Sequence, residues 1–103
     1  MIKEILNATG LQFRRSRFLK PPAGAYVVYM DDVGTDGPDG INRIFTHNIT
    51  LEVYAPTMDE TVEAAIEDEL NARGLQWEKE DWYWLQTEQR YQAVYEFSYI
   101  TKN

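Results

Sequence analysis

Between Asp31 and Gly40 the chain reads DDVGTDGPDG, a run rich in carboxylates and glycines. Carboxylate oxygens interleaved with a turn-forming glycine are what a calcium loop offers. A loop of the EF-hand kind starting at Asp32 needs a bidentate Glu at its twelfth position, and that position is Arg43. No helical pattern flanks it either. The run therefore reads as a loop between two strands, with Gly and Asp serving turn geometry, and a weak cation site is the lesser reading. A loop of this length is often functional. Val33, Gly34, Thr35, Asp36, Gly37, Pro38, Asp39, Gly40, Ile41 and Asn42 form a candidate contact loop.

Other chemistry is sparse. There is no cysteine and a single histidine, His47. His47 shares the apolar parity of Phe45 and Ile49, which marks a structural or edge histidine and not a base or metal ligand. Ser16 and Ser98 lack a nucleophile-elbow context. No phosphate-binding loop or dinucleotide fingerprint is present. Carboxylates abound, but nothing sets two at a defined separation. Arg14 to Lys20, interleaved with Phe13 and Phe18, offers charge and stacking to a single strand of nucleic acid. A net charge of −7 opposes that reading. The expectation is a non-enzymatic chain without cofactor or metal.

What positions these residues is a repeated phrase. Residues 5–13 read ILNATGLQF and residues 69–77 read ELNARGLQW. The offset that lays Phe13 on Trp77 also lays Phe18 on Trp82. Between those anchors the first copy carries Arg14-Arg15-Ser16-Arg17, and the second Glu78-Lys79-Glu80-Asp81. The chain thus holds two related helix–strand units, one with a basic strand and one with an acidic strand.

The phrase begins in helices. Ile2, Ile5, Leu6 and Thr9 have helical spacing over 2–9, and Gly10 suits a left-handed C-terminal position. In the second unit Thr57 and Glu60 form a capping box after Pro56. Val62, Ala65, Ile66 and Leu70 make the buried stripe, and Glu60, Glu63, Glu67 and Asp68 read as a solvated face. Gly74 ends that helix. Strands are expected at 12–19, 25–32, 43–55, 76–86 and 90–101, the last two joined around Thr87-Glu88-Gln89. The third alternates cleanly, with Phe45, His47, Ile49, Leu51 and Val53 on one face.

One domain of 103 residues is expected, globular because 44% of residues are hydrophobic. The lack of cysteine fits assembly in a reducing cytoplasm. No run approaches a membrane span, and no signal-peptide layout is seen. The fold class is α+β. Two helices cover one face of a mixed or antiparallel sheet of about five strands, in the order α-β-β-β-α-β-β.

Aromatics then remain for the other face. Trp77, Tyr83 and Leu85 have one parity in the fourth strand, and Trp82 and Trp84 the other. Such groups mark an interface unless a loop covers them. By analogy with permuted ferredoxin-like sheets, 12–19 and 76–86 lie at opposite edges. Arg14, Arg15 and Arg17 on one edge would then meet Glu78, Glu80 and Asp81 of a neighbour, with Trp82 and Trp84 as apolar anchors. Head-to-tail contact of that kind closes into a ring when the rotation permits. Edge charges that merely prevent aggregation are the competing reading.

The layout also resembles a family. Its features are Thr9-Gly10-Leu11, then Pro21-Pro22 before Ala25-Tyr26-Val27-Val28-Tyr29, and a polar loop leading to His47-Asn48-Ile49-Thr50-Leu51-Glu52-Val53-Tyr54. An acidic helix and Tyr91-Gln92-Ala93-Val94-Tyr95-Glu96-Phe97 complete it. This resembles the tail-terminator and tail-to-head joining proteins of long-tailed bacteriophages and prophages. The resemblance implies self-association into a ring, typically a hexamer, on the tail tube protein, facing the head connector. It implies assembly in the host bacterial cytoplasm and residence in the virion tail. An acidic ring bore would let DNA pass without binding. The alternative is an acidic protein-binding module, inhibitor or antitoxin-like, acting on a basic partner.

Overall fold

A computed structural model describes residues 1–36 and 44–102. Its elements are α1 (Ile2–Thr9), β1 (Gln12–Arg15), β2 (Tyr26–Asp36), β3 (Ile44–Ala55), α2 (Glu60–Ala72), β4 (Trp77–Leu85) and β5 (Arg90–Lys102). The five strands form one sheet in the order β1-β2-β3-β5-β4. β1 runs parallel to β2, and every other neighbour is antiparallel. The fold is α+β with a mixed sheet, and the expected edges are the observed ones.

The repeated phrase is a structural unit. Leu6 and Leu70 are both fully buried, and the glycine four residues after each turns left-handed, at φ 77° and 69°. Leu11 and Leu75 then fold back on the core, as do Phe13 and Trp77 at the start of each edge strand. Phe13 leans on Tyr29 at 6.2 Å, and Trp77 leans on Tyr95 at 5.6 Å. Past that point the units differ, because β4 returns along β5 as a hairpin while β1 crosses over to a parallel neighbour.

Odd-numbered residues of the central strands face the helices. Val27, Tyr29, Ile49, Leu51, Val53, Ala93 and Tyr95 are buried there beneath Ile5, Leu6, Val62, Ile66 and Leu70. The alternation expected in β3 thus describes its core face.

Several boundaries differ from expectation. β1 ends at Arg15, well short of 19. Ser16 adopts a positive φ of 69°, bonds back to the Tyr29 carbonyl at 2.9 Å and turns the chain off the sheet. Arg17 therefore lies beyond the strand. β2 runs on past 32, and Val33, Gly34, Thr35 and Asp36 pair with His47, Thr46, Phe45 and Ile44. Cross-strand pairing with β3 overrides the poor strand propensity of Asp and Gly. That part of the expected contact loop is therefore sheet; Gly37, Pro38, Asp39, Gly40, Ile41 and Asn42 lie outside the described residues. The α2 cap is Asp59, whose carboxylate accepts from the Thr61 and Val62 N–H groups at 3.0 and 3.2 Å. The Thr57–Glu60 box is not used, because Glu60 is already the first helical residue.

Candidate assembly edges

The two edges carry opposite charge. On β1, the Arg14 guanidinium lies 5.3 Å from the Phe18 ring centre and donates to the Phe13 carbonyl at 2.9 Å. Arg15 reaches the Asp31 carbonyl at 3.4 Å. Arg17 is exposed in the turn that follows. On β4, Glu78, Glu80 and Asp81 are exposed, and Asp81 accepts from the Trp82 N–H at 2.8 Å. Among the described residues none of these six side chains has an ion-pair partner within the chain.

A bulge in β4 reassigns its aromatics. Glu80 pairs with Val94 and Tyr83 with Gln92, so Asp81 and Trp82 together stand opposite one residue, Ala93. The extra residue switches the parity. Trp77 and Lys79 face the helices before it, and Trp82 faces them after it. Trp82 is 9% exposed and donates its indole N–H to Glu63 at 2.8 Å. It is a core residue, which corrects its assignment as an apolar anchor. Trp84 is 43% exposed at the edge, set against Tyr91 at 5.1 Å. Tyr83, 46% exposed beside it, had no place among the expected anchors.

The acidic face of α2 is only partly solvated. Glu63 and Glu67 turn inward to hold the Lys79 ammonium at 2.5 and 3.3 Å. The Tyr95 hydroxyl donates to Glu67 at 2.6 Å. Burial works to lower the Lys79 pKa, but the bonds and charges of Glu63 and Glu67 outweigh it and raise the pKa. This cluster pins α2 onto β4 and holds the acidic edge in place. Lys79 is thus absent from the outer charge pattern.

The face opposite the helices is half covered. The connection from β1 to β2 brings Phe18 edge-on to Tyr26 at 5.0 Å. Arg90 sits over the same ring at 5.1 Å and donates to the carbonyls of Gly24 and Ala23. Tyr26 stacks on Tyr54 at 4.9 Å. Buried Gln92 donates to the Tyr54 hydroxyl at 2.9 Å and accepts from Tyr83. The loop-covered reading thus holds for Tyr26.

Four tyrosines resist ionisation here. Burial first, then Glu52, pushes Tyr54 up to about 12 from 10.0. Burial is also the leading cause for Tyr26, Tyr95 and Tyr99, all raised. A raised folded pKa favours the neutral phenol in the native state. That stability is complete below the unfolded pKa of about 10 and is lost as pH rises above it. Urea midpoints should stay level from neutral pH to about 10 and then fall steeply towards 12. A flat profile across that interval would contradict the buried setting of these phenols.

His47 ties the far end of the sheet together. Its Nδ1 lies 3.0 Å from the Asp31 carboxylate, its Nε2 3.0 Å from the Thr101 hydroxyl, and its ring stacks on Tyr99 at 4.6 Å. Carboxylate, imidazole and hydroxyl stand in line. Thr101, however, lies in extended strand paired with Phe45, not on the strained turn that exposes a nucleophile. The line joins β2, β3 and β5, as a structural histidine does. Among the described residues no group of His, Cys, Asp or Glu is placed to hold a metal, and no helix is long and apolar enough to cross a membrane.

No family model matches the chain, and no curated protein matches it. A solved structure does. A chain from the virion of the native gene transfer agent particle superposes with a TM-score of 0.55 at 15% identity. The match covers 96% of this chain and 84% of that one. At that identity the likeness shows a shared fold.

Proposed function

We propose that this chain is a structural protein of a phage-like virion, which caps the tail tube as a ring, joins the tail to the head connector, or does both. The observation that carries the reading is the likeness, over nearly the whole chain, to a chain of a gene transfer agent virion. The opposed edges support the ring. Arg14 and Arg15 stand on one edge strand, with Arg17 just past it, while Glu78, Glu80 and Asp81 stand on the other. A head-to-tail contact brings the two sets together in every copy, and complementary charge fixes its register. Trp84 and Tyr83 add exposed aromatic surface at the acidic edge, where interfaces favour such groups.

The test is electron microscopy of particles from a phage or prophage with this reading frame disabled. Overlong tails lacking heads are the expected result for a terminator, and headless tails of normal length for a joining protein. Normal particles would overturn the proposal and leave an acidic module that binds a basic partner.

A further inference from the structure

The pairing of the strands sets residues of the two outer edges in common rows across the sheet. Gln12, Tyr26, Tyr54, Gln92 and Tyr83 form one row. Arg14, Val28, Glu52, Val94 and Glu80 form another. Ser16, through its bond to Tyr29, joins the row of Met30, Thr50, Glu96 and Glu78. The same pairings make β1 and β4 run in opposite directions. Two copies side by side in one orientation therefore bring β1 of one antiparallel to β4 of the next.

The β1 edge is poorly suited to a backbone ladder. The Ser16 N–H points at β2, so by alternation the Phe13 and Arg15 carbonyls point outward. The first already accepts from the Arg14 guanidinium, and the second from the Arg17 N–H at 2.8 Å. An edge closed in this way resists the addition of a strand. Contact there falls to the side chains.

We infer that the head-to-tail contact runs row to row through side chains, setting Arg14 beside Glu80, Arg17 beside Glu78 and Leu19 against Tyr83 of a second copy. It rests on the head-to-tail reading above and adds its register and its apolar part. Arg14 and Glu80 share a row and a face, the one away from the helices, and neither has an ion-pair partner among the described residues. Arg17, one residue past Ser16, arrives at the row of Glu78 and Glu96. These two exposed carboxylates stand directly opposite each other and repel, which an arginine relieves. The chain then turns back, and Phe18 lies edge-on to Tyr26, in the row of Tyr83. Leu19 follows, 88% exposed, and Tyr83 is 46% exposed. Arg15 comes level with Lys79, whose charge Glu63 and Glu67 more than balance. Sliding one copy by two residues, so that Arg14 meets Glu78, would move Leu19 from Tyr83 to the carboxylates at the bulge.

The cysteine-free chain makes the test direct. One full-length variant carries Leu19→Cys and another Tyr83→Cys, and the two together complement the disabled reading frame. Particles are treated with a short thiol cross-linker, and the chain is followed by immunoblot. A covalent dimer is expected from the mixture and none from either variant alone. Leu19→Cys mixed with Glu78→Cys should give none. Separately, Arg14→Glu should lower the yield of complete particles at least about tenfold. Adding Glu80→Arg should restore the yield, and adding Glu78→Arg should not. Equal dimer from the two mixtures, or equal rescue by the two arginines, would overturn the register and leave the head-to-tail reading standing. No dimer from either mixture, with Arg14→Glu particles at full yield, would overturn both.

Discussion

Replacing Arg14, Arg15 and Arg17 together by glutamate is expected to leave the chain folded and to abolish the proposed ring. The three side chains are exposed, and among the described residues they make the Phe18, Phe13 and Asp31 contacts given above. Folding therefore loses little. Assembly loses much more. Each exposed ion pair contributes about 0.2–1 kcal/mol, and reversal adds repulsion from Glu78, Glu80 and Asp81. Three such changes amount to a loss on the order of a hundredfold or more in association. Particles complemented with the variant should show the overlong or headless tails of the disabled frame. A compensating change of Glu78, Glu80 and Asp81 to lysine should bring heads and normal tails back. Wild-type particles from the arginine variant alone would remove the charged edges as the contact.

The neighbouring tryptophans should separate folding from assembly. Trp82→Ala removes a buried indole and leaves Glu63 with one donor fewer, so it should cost about 3–5 kcal/mol. A domain of this size has only about 5–15 kcal/mol to lose. Trp84→Ala empties an edge position 43% exposed and should cost under about 1 kcal/mol. In the proposed ring the order should reverse, because an interface tryptophan that acts as an anchor commonly carries more than about 2 kcal/mol. Urea unfolding of both variants, followed by the particle assay for Trp84→Ala, checks the contrast. A loss from Trp82→Ala as small as that from Trp84→Ala would refute the burial that the parity switch at the bulge gives Trp82.

That switch also shows where sequence reading stops. The helices, the left-handed glycines, the β3 alternation and both sheet edges were legible, because each depends on residues close in sequence or on the repeated phrase. The bulge was not. Strict alternation put Trp82 and Trp84 opposite Trp77, whereas the Glu63 carboxylate and the core claim Trp82 through one extra residue in β4. Glu63 and Glu67 looked solvated for a similar reason, since Lys79 and Tyr95 are distant in sequence. The early end of β1 at Ser16 follows from one positive φ, which a serine does not advertise. The extension of β2 through Gly34 needs the paired strand β3 to be seen. The edge charges themselves were plain, and what they meet in a neighbour is not written in one chain.

The strand order has a consequence for synthesis. β5 sits between β3 and β4, yet it follows both in the chain. A nascent chain emerging from the ribosome can form β1, β2, β3 and both helices while one whole side of β3 is still bare. Tyr95, the largest fully buried side chain, arrives with that final strand. The acidic edge cannot dock until then, so in the proposed ring a partly made copy would present its basic edge without the matching acidic one. Growth of the proposed ring through unfinished copies would be blocked by the order of translation itself.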